Sequence, residues 1–244
     1  MERPISENAA RGGGGASRFG GSGIGGAFGL RNDVYRRPLV TALERLAVGP
    51  GWRCVDVGAG GGDVTVALAE LVGRGGRIFA VDSDPRARDE VARAAAEAGQ
   101  AQVVVVTQVA EELLLPEQVD LAFCRFLLLH VWDPVLVLRR MGQAVRPGGW
   151  VVAQEPITSA GRVGGRPLSM PGARRPDIGA VIASLVGEAG LELVDAWMEG
   201  PVGIGGPVAA ELEAMTDTDP GDEPVVLPPL VTVIARRPLP SRLT

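Results

Sequence analysis

The chain has 244 residues, 46% of them apolar and 22% charged, with a formal net charge of −5 at pH 7. That length suits one sizeable α/β domain with little left for a second, and the composition excludes wholesale disorder. The mild acidity, without a Lys/Arg block, argues against a nucleic-acid surface and makes a small or neutral molecule the default partner.

Residues 1–29 are dominated by glycine (Arg11-Gly12-Gly13-Gly14-Gly15, Gly20-Gly21-Ser22-Gly23). Such a segment buries too little apolar surface to offset its chain entropy, so a mobile tail is expected, with the folded domain over 30–240. Leu39, Val40, Leu43 and Leu46 have helical spacing, and Pro50-Gly51 then turns the chain into a first strand. Strands are expected near 53–57, 77–81, 103–106, 119–124 and 150–154, and helices near 63–73, 85–98, 134–145 and 176–189. The alternation implies a parallel sheet covered by helices on both faces. Two late candidates, Leu191–Trp197 and Leu230–Ala235, complete seven strands and suggest a terminal antiparallel hairpin. The fold class is therefore α/β, a doubly wound, mostly parallel, Rossmann-like sheet. Cys54 and Cys124 each sit inside a strand-like run, reading as buried thiols in a reducing cytosol. No apolar run approaches the roughly 20 residues a membrane span needs, and no secretory hydrophobic region opens the chain. A cytoplasmic location away from any membrane is expected.

The run Val55-Asp56-Val57-Gly58-Ala59-Gly60-Gly61-Gly62-Asp63-Val64-Thr65 joins an apolar strand to a helix through a glycine loop. In an open α/β sheet that is where a nucleotide-like ligand lies, because a backbone without Cβ turns sharply and lets a flat molecule approach. The next strand ends in Asp82, an acid suited to two ribose hydroxyls. A dinucleotide fingerprint would have a third glycine where Asp63 stands. An acid at that helix start repels a pyrophosphate, which favours a nucleoside without phosphates.

Taken together, these motifs resemble those of class I S-adenosylmethionine-dependent methyltransferases of the small-molecule type, over roughly residues 35–237. Val55–Gly62 is similar to the family's first motif, whose backbone (Gly58, Ala59, Gly60, Gly62) lies under the methionine part of the cofactor. Asp56 resembles the acid that helps hold the amino group, and Asp82 the ribose-binding acid, followed by Ser83. Val119–Phe126 resembles the fourth strand, continued by His130 and Asp133-Pro134, and Arg146-Pro147-Gly148-Gly149-Trp150 the turn into the fifth. Where the family usually presents an acid to the adenine amino group, this chain has Val109, leaving backbone groups of Val109 and Ala110 to meet the adenine edge. The segment 156–175, where many relatives carry a helical cap, is short and rich in Gly, Pro and Arg. It is expected to be an irregular, mobile flap over an open site.

The resemblance implies S-adenosylmethionine as cofactor and S-adenosylhomocysteine as product. It implies methyl transfer to a small molecule or natural-product intermediate, with oxygen the favoured acceptor atom and room for a bulky or carrier-tethered substrate. A homodimer is compatible with it. The rival is a non-methylating member of the same fold, either a pericyclase- or cyclase-like catalyst or a cofactor-binding module. His130, the sole histidine, is a candidate base, or packs at the start of the next helix. Arg125 is a candidate for the cofactor carboxylate or a substrate anion, or an ion pair at a strand end. Glu155 faces the acceptor or is solvated. The acceptor pocket is expected beside Arg125, Phe126, His130, Glu155 and Pro156. No ligand cluster has metal-site spacing.

Overall fold

A computed structural model describes residues 33–100, 102–168 and 173–240. The expected mobile tail at 1–29 lies outside the described residues, as do 169–172 within the expected flap. The first helix, α1 (Arg36–Arg45), buries Pro38, Leu39, Ala42 and Leu43 along one side. Then follow β1 (Arg53–Val57), α2 (Asp63–Val72), β2 (Arg77–Asp82), α3 (Pro85–Glu97), β3 (Val103–Thr107), β4 (Val119–Arg125), α4 (Pro134–Ala144) and β5 (Val145–Pro156). The starts of α3 and α4 are written in the sequence. Asp84 and Asp133 accept the backbone N–H groups of Arg86 and Leu136, and a proline occupies the first turn of each helix.

With β8 (Glu192–Glu199) and β11 (Leu230–Arg236), the strands form one seven-stranded sheet in the order β3-β2-β1-β4-β5-β11-β8. Strands β1 to β5 run parallel, and β11 is antiparallel to both neighbours, β5 and β8. This is the doubly wound sheet expected. The order reverses between β1 and β4, so a crevice opens at the carboxyl ends of these two strands.

Each buried strand contributes alternate residues to two cores. Cys54, Leu121, Phe123, Val152 and Ile234 pack on one face with Leu39 and Leu43 of α1 and Leu68 of α2. Val55, Val57, Ala122, Cys124, Val151 and Ala153 pack on the other with Leu138 and Met141 of α4 and Ile182 and Val186 of α5 (Ile182–Glu188). Both cysteines are buried free thiols, and burial pushes each up from its ordinary value.

Two features differ from expectation, and the rest of the chain adds a second sheet. The helix expected over 176–189 begins only at Ile182, after a 3-10 turn at Ile178–Ala180. Gly179 explains the break, because it rests on the end of β5: a Cβ there would lie 2.5 Å from the Glu155 carbonyl oxygen. The segment expected as an irregular flap contributes β6 (Arg162–Val163) and β7 (Arg166–Pro167), turned at Gly164 and Gly165, both at positive φ. The terminal pair β8 and β11 is antiparallel, as expected. The chain between them builds β9 (Val202–Ile204), α6 (Gly206–Thr216) and β10 (Pro224–Val226). Strands β7-β6-β10-β9 form a second, wholly antiparallel sheet. Its core (Val163, Leu212, Val225, Leu227, Leu230) packs with Tyr35. This sheet grows from Pro156 and Leu230, at the same edge of the main sheet as the glycine loop. It makes a compact cap from segments too short to show periodicity.

Candidate functional site

The glycine loop is fixed to β2 by two backbone bonds, from Gly58 and Ala59 N–H to the Val81 carbonyl (2.8 and 3.1 Å). Gly58 has φ +76°, and a Cβ on it would sit 2.9 Å from Leu127 Cδ1. Glycine is required there twice over, by conformation and by space. Gly62, the residue before α2, also has positive φ and faces Val91, so its role is close packing of α2 on α3.

Asp82, at the end of β2, accepts the Gly60 N–H on Oδ2 and the Asp84 N–H on Oδ1, each at 2.9 Å. These bonds orient the carboxylate before any ligand arrives, and each oxygen keeps a further lone pair for a hydroxyl. Asp56 is buried on β1, with its Oδ2 taking the Thr65 hydroxyl at 2.6 Å. Burial raises its pKa to about 6, against the opposing pull of Thr65 and Arg125.

Arg125, at the end of β4, forms an ion pair with Asp63 at the start of α2 and donates to the Tyr35 carbonyl at 3.2 Å. The Tyr35 hydroxyl donates to the Pro228 carbonyl at 2.9 Å, and its ring meets Phe126 edge-on at 5.1 Å. A run of polar contacts therefore ties the cap to the glycine-loop helix. Phe126 itself has φ +54°, a left-handed conformation costing a non-glycine residue about 1–3 kcal/mol.

A crevice of about 330 Å³ opens among these groups, walled by Asp56, Gly58, Ala59, Gly60, Gly61, Asp63, Val64, Asp82, Asp84, Ala87, Arg125, Phe126, Leu127 and His130. Of the four carboxylates in these walls, Asp63 pairs with Arg125 and Asp84 with Arg86, so Asp56 and Asp82 leave an acidic excess that favours a ligand carrying positive charge. His130 stands exposed at its mouth, with its backbone N–H on the Leu127 carbonyl at 2.9 Å. Asp84 is held below the usual carboxylate range by hydrogen bonds from Arg86.

Of the residues expected at the site, Asp56, Gly58, Ala59, Gly60, Asp82, Arg125, Phe126 and His130 come together in this crevice. Gly62, Ser83, Val109 and Ala110 are not among its walls; Ser83 and Val109 are exposed, on the two strand ends bridged by the Gln108 N–H to the Asp82 carbonyl. Glu155 requires correction. The fifth strand continues through Pro156 because β11 pairs with it there (Val231 with Glu155), which makes Glu155 an interior residue. It is wholly buried, neither facing an acceptor nor solvated. Its Oε1 accepts the N–H groups of Leu127 and Leu128 (2.9 and 2.7 Å), and its Oε2 that of Leu129 (3.3 Å). Arg125 makes the ion pair at a strand end that was one of its two readings, while its partner Asp63 and the wall residue Leu127 have no local sequence signal.

Residues 55–153 match the family model described as "Methyltransferase domain". The chain is 35% identical over 104 residues to the ubiquinone biosynthesis O-methyltransferase of Leptothrix cholodnii, a match spanning 41% of this chain and 43% of that protein. It thus spans less than half the length of this curated relative. Among solved structures, a SAM dependent methyltransferase from Aquifex aeolicus superposes with a TM-score of 0.61 at 14% identity, covering 86% of this chain and 98% of the other. The [4+2]-cyclase SpnF superposes with a TM-score of 0.62 at 20% identity, covering 84% and 82%. Both share the fold.

Proposed function

We propose that this chain, whose residues 55–153 match a methyltransferase-domain model, is a class I S-adenosylmethionine-dependent methyltransferase that transfers a methyl group to an oxygen atom of a small molecule. The observation that carries this reading is the acid-rich crevice beside the glycine loop. S-adenosylmethionine brings a sulfonium and an ammonium group to balance those carboxylates, a ribose diol for Asp82, and no phosphate to clash with Asp63.

When bound, the cofactor supplies an electrophilic methyl group on its sulfonium. Asp82, already oriented by Gly60 and Asp84, would hold the ribose, and Asp56 would take the ammonium end. Arg125 adds a positive charge for the carboxylate, shared with Asp63. The acceptor enters past Phe126 and His130, on the side where the cap begins. Alignment of the acceptor with the methyl carbon supplies much of the rate. His130, at the mouth of the crevice, would accept the proton that the acceptor oxygen loses. The activity named for the Leptothrix relative supports oxygen as the acceptor atom. We read residues 30–240 as one unit that acts in the cytoplasm.

The test pairs binding with mass. Calorimetry with S-adenosylhomocysteine should show tight binding that Asp82→Ala weakens by about 1.5–3 kcal/mol, the worth of charge-assisted bonds. Incubation with labelled donor and phenolic or other hydroxylated acceptors should yield products heavier by one methyl group. Unchanged affinity in Asp82→Ala would refute the cofactor site. Product formed without the mass gain would instead assign a cyclase-type reaction.

A further inference from the structure

Three consecutive backbone N–H groups, those of Leu127, Leu128 and Leu129, converge on the one buried carboxylate of Glu155. Successive amides aimed inward after a left-handed residue form a concave anion-binding nest, and the left-handed residue here is Phe126. Other bonds at this turn are those of the Phe126 N–H to the Gln154 carbonyl at 3.0 Å, of the His130 N–H to the Leu127 carbonyl at 2.9 Å, and of the Arg174 and Arg175 N–H groups to the Leu129 carbonyl. The turn presents three walls of the crevice, Phe126, Leu127 and His130, and Leu127 presses directly on Gly58. We propose that Glu155 is a positioning residue: its ionised carboxylate, from beneath the sheet edge, holds residues 126–130 in the shape that completes the crevice wall.

The chemistry requires the charged form. A carboxylate offers acceptor sites on both oxygens, enough for three N–H groups, whereas a protonated acid turns one oxygen into a donor that faces an N–H. Burial works the other way and raises the Glu155 pKa to about 7, partly countered by the three amides. The carboxyl therefore titrates within the working range of the protein. Its surroundings leave that titration little perturbed by other charges. The 3-10 turn brings Ile178 and Gly179, α5 brings Ile182 and Val186, β11 brings Val231 and Val233, and the turn itself brings three leucines. On β4 the titratable neighbour is the Cys124 thiol, itself pushed up by burial and by Glu155, with Asp56 acting on the same thiol. Arg174 and Arg175 reach this turn only through their backbone N–H groups, on the Leu129 carbonyl. Their side chains lie at Trp132, Arg174 stacked on its ring and Arg175 on its carbonyl.

The effect on ligand affinity rests on the cofactor reading above, while the effect on the turn does not, so two measurements are made on wild type and E155Q. The first follows S-adenosylhomocysteine affinity by calorimetry between pH 5.5 and 8.5. Wild-type affinity should fall about tenfold as pH drops through 7, the equivalent of one charge-assisted hydrogen bond, and E155Q should lack that step, any further fall near pH 6 from protonation of Asp56 being common to both proteins. An E155Q protein with the wild-type pH profile would overturn the proposal, whereas absence of binding by wild type at every pH would overturn the cofactor reading alone. The second is amide hydrogen exchange at Leu127–Leu129, corrected for intrinsic rates, which needs no ligand. Exchange should rise about tenfold or more in E155Q at pH 8 and in wild type at pH 5.5. Unchanged protection in both would overturn the proposal even if affinity had moved.

Discussion

Arg125, at the end of β4, and Asp63, the first residue after the glycine loop, form an ion pair whose cationic partner is almost wholly buried. Two elements of the crevice that never pair as strands are joined by this contact, and Arg125 extends it through Tyr35 to Pro228 in the cap. Removing one partner of such a pair strands the other charge. Asp63→Ala should therefore lower unfolding stability by about 3–5 kcal/mol, read by urea denaturation. A loss below 1 kcal/mol would mean that Arg125 finds solvent or another acceptor.

Gly58→Ala should be harmful out of proportion to one methyl group. The new Cβ needs a backbone at φ +76° and would stand 2.9 Å from Leu127 Cδ1. Since Leu127 belongs to the turn held by Glu155, the clash is transmitted to the crevice wall. Calorimetry should show cofactor affinity reduced by at least about tenfold, with stability lower by about 1–3 kcal/mol. A variant binding as tightly as wild type would show that the loop shifts freely.

His130→Ala separates a proton acceptor from a packing residue. Because His130 is exposed at the crevice mouth, little stability should be lost. Turnover with an oxygen acceptor should drop by about 10²–10⁴-fold while cofactor affinity holds. A stable, fully active variant would remove this side chain from the chemistry.

Asp56 and Glu155 impose a particular dependence of stability on pH. Both are buried carboxyls with folded pKa values raised, to about 6 and about 7, above ordinary values of 3.8 and 4.5. The folded protein thus retains protons that the unfolded chain releases, and its stability falls as pH rises from about 4 to 7. Each group contributes on the order of 3 kcal/mol to that fall. Chemical denaturation at half-unit pH steps should show it, and Glu155→Gln should remove the part between pH 4.5 and 7. A wild-type curve that rises across this window would contradict the assignment.

The parts of the site legible in the sequence are those whose requirements are local. Gly58 and Gly60 are needed where the chain turns under a ligand, and Asp82 ends a strand one unit later, so spacing alone finds them. Asp84 before Pro85 announces its own helix. Glu155 was misread because the end of β5 depends on β11, which arrives far later in the chain. Without that partner, Glu155 looks like a loop residue. The Asp63–Arg125 pair and the Glu155 nest are likewise products of tertiary proximity, and two- or three-residue strands such as β6 and β10 have no period to detect.

The second sheet also bears on the order in which this molecule assembles. Val163 pairs with Val225, and between them the chain must first lay down α5, β8, β9 and α6. Closing so long a loop costs entropy that a few short-strand contacts repay poorly on their own. A nascent chain released only as far as β8 would hold the glycine loop and Asp82 yet leave β6 without its partner β10. The cap is then expected to condense late, once β11 has docked between β5 and β8, after the glycine loop and Asp82 already stand in place.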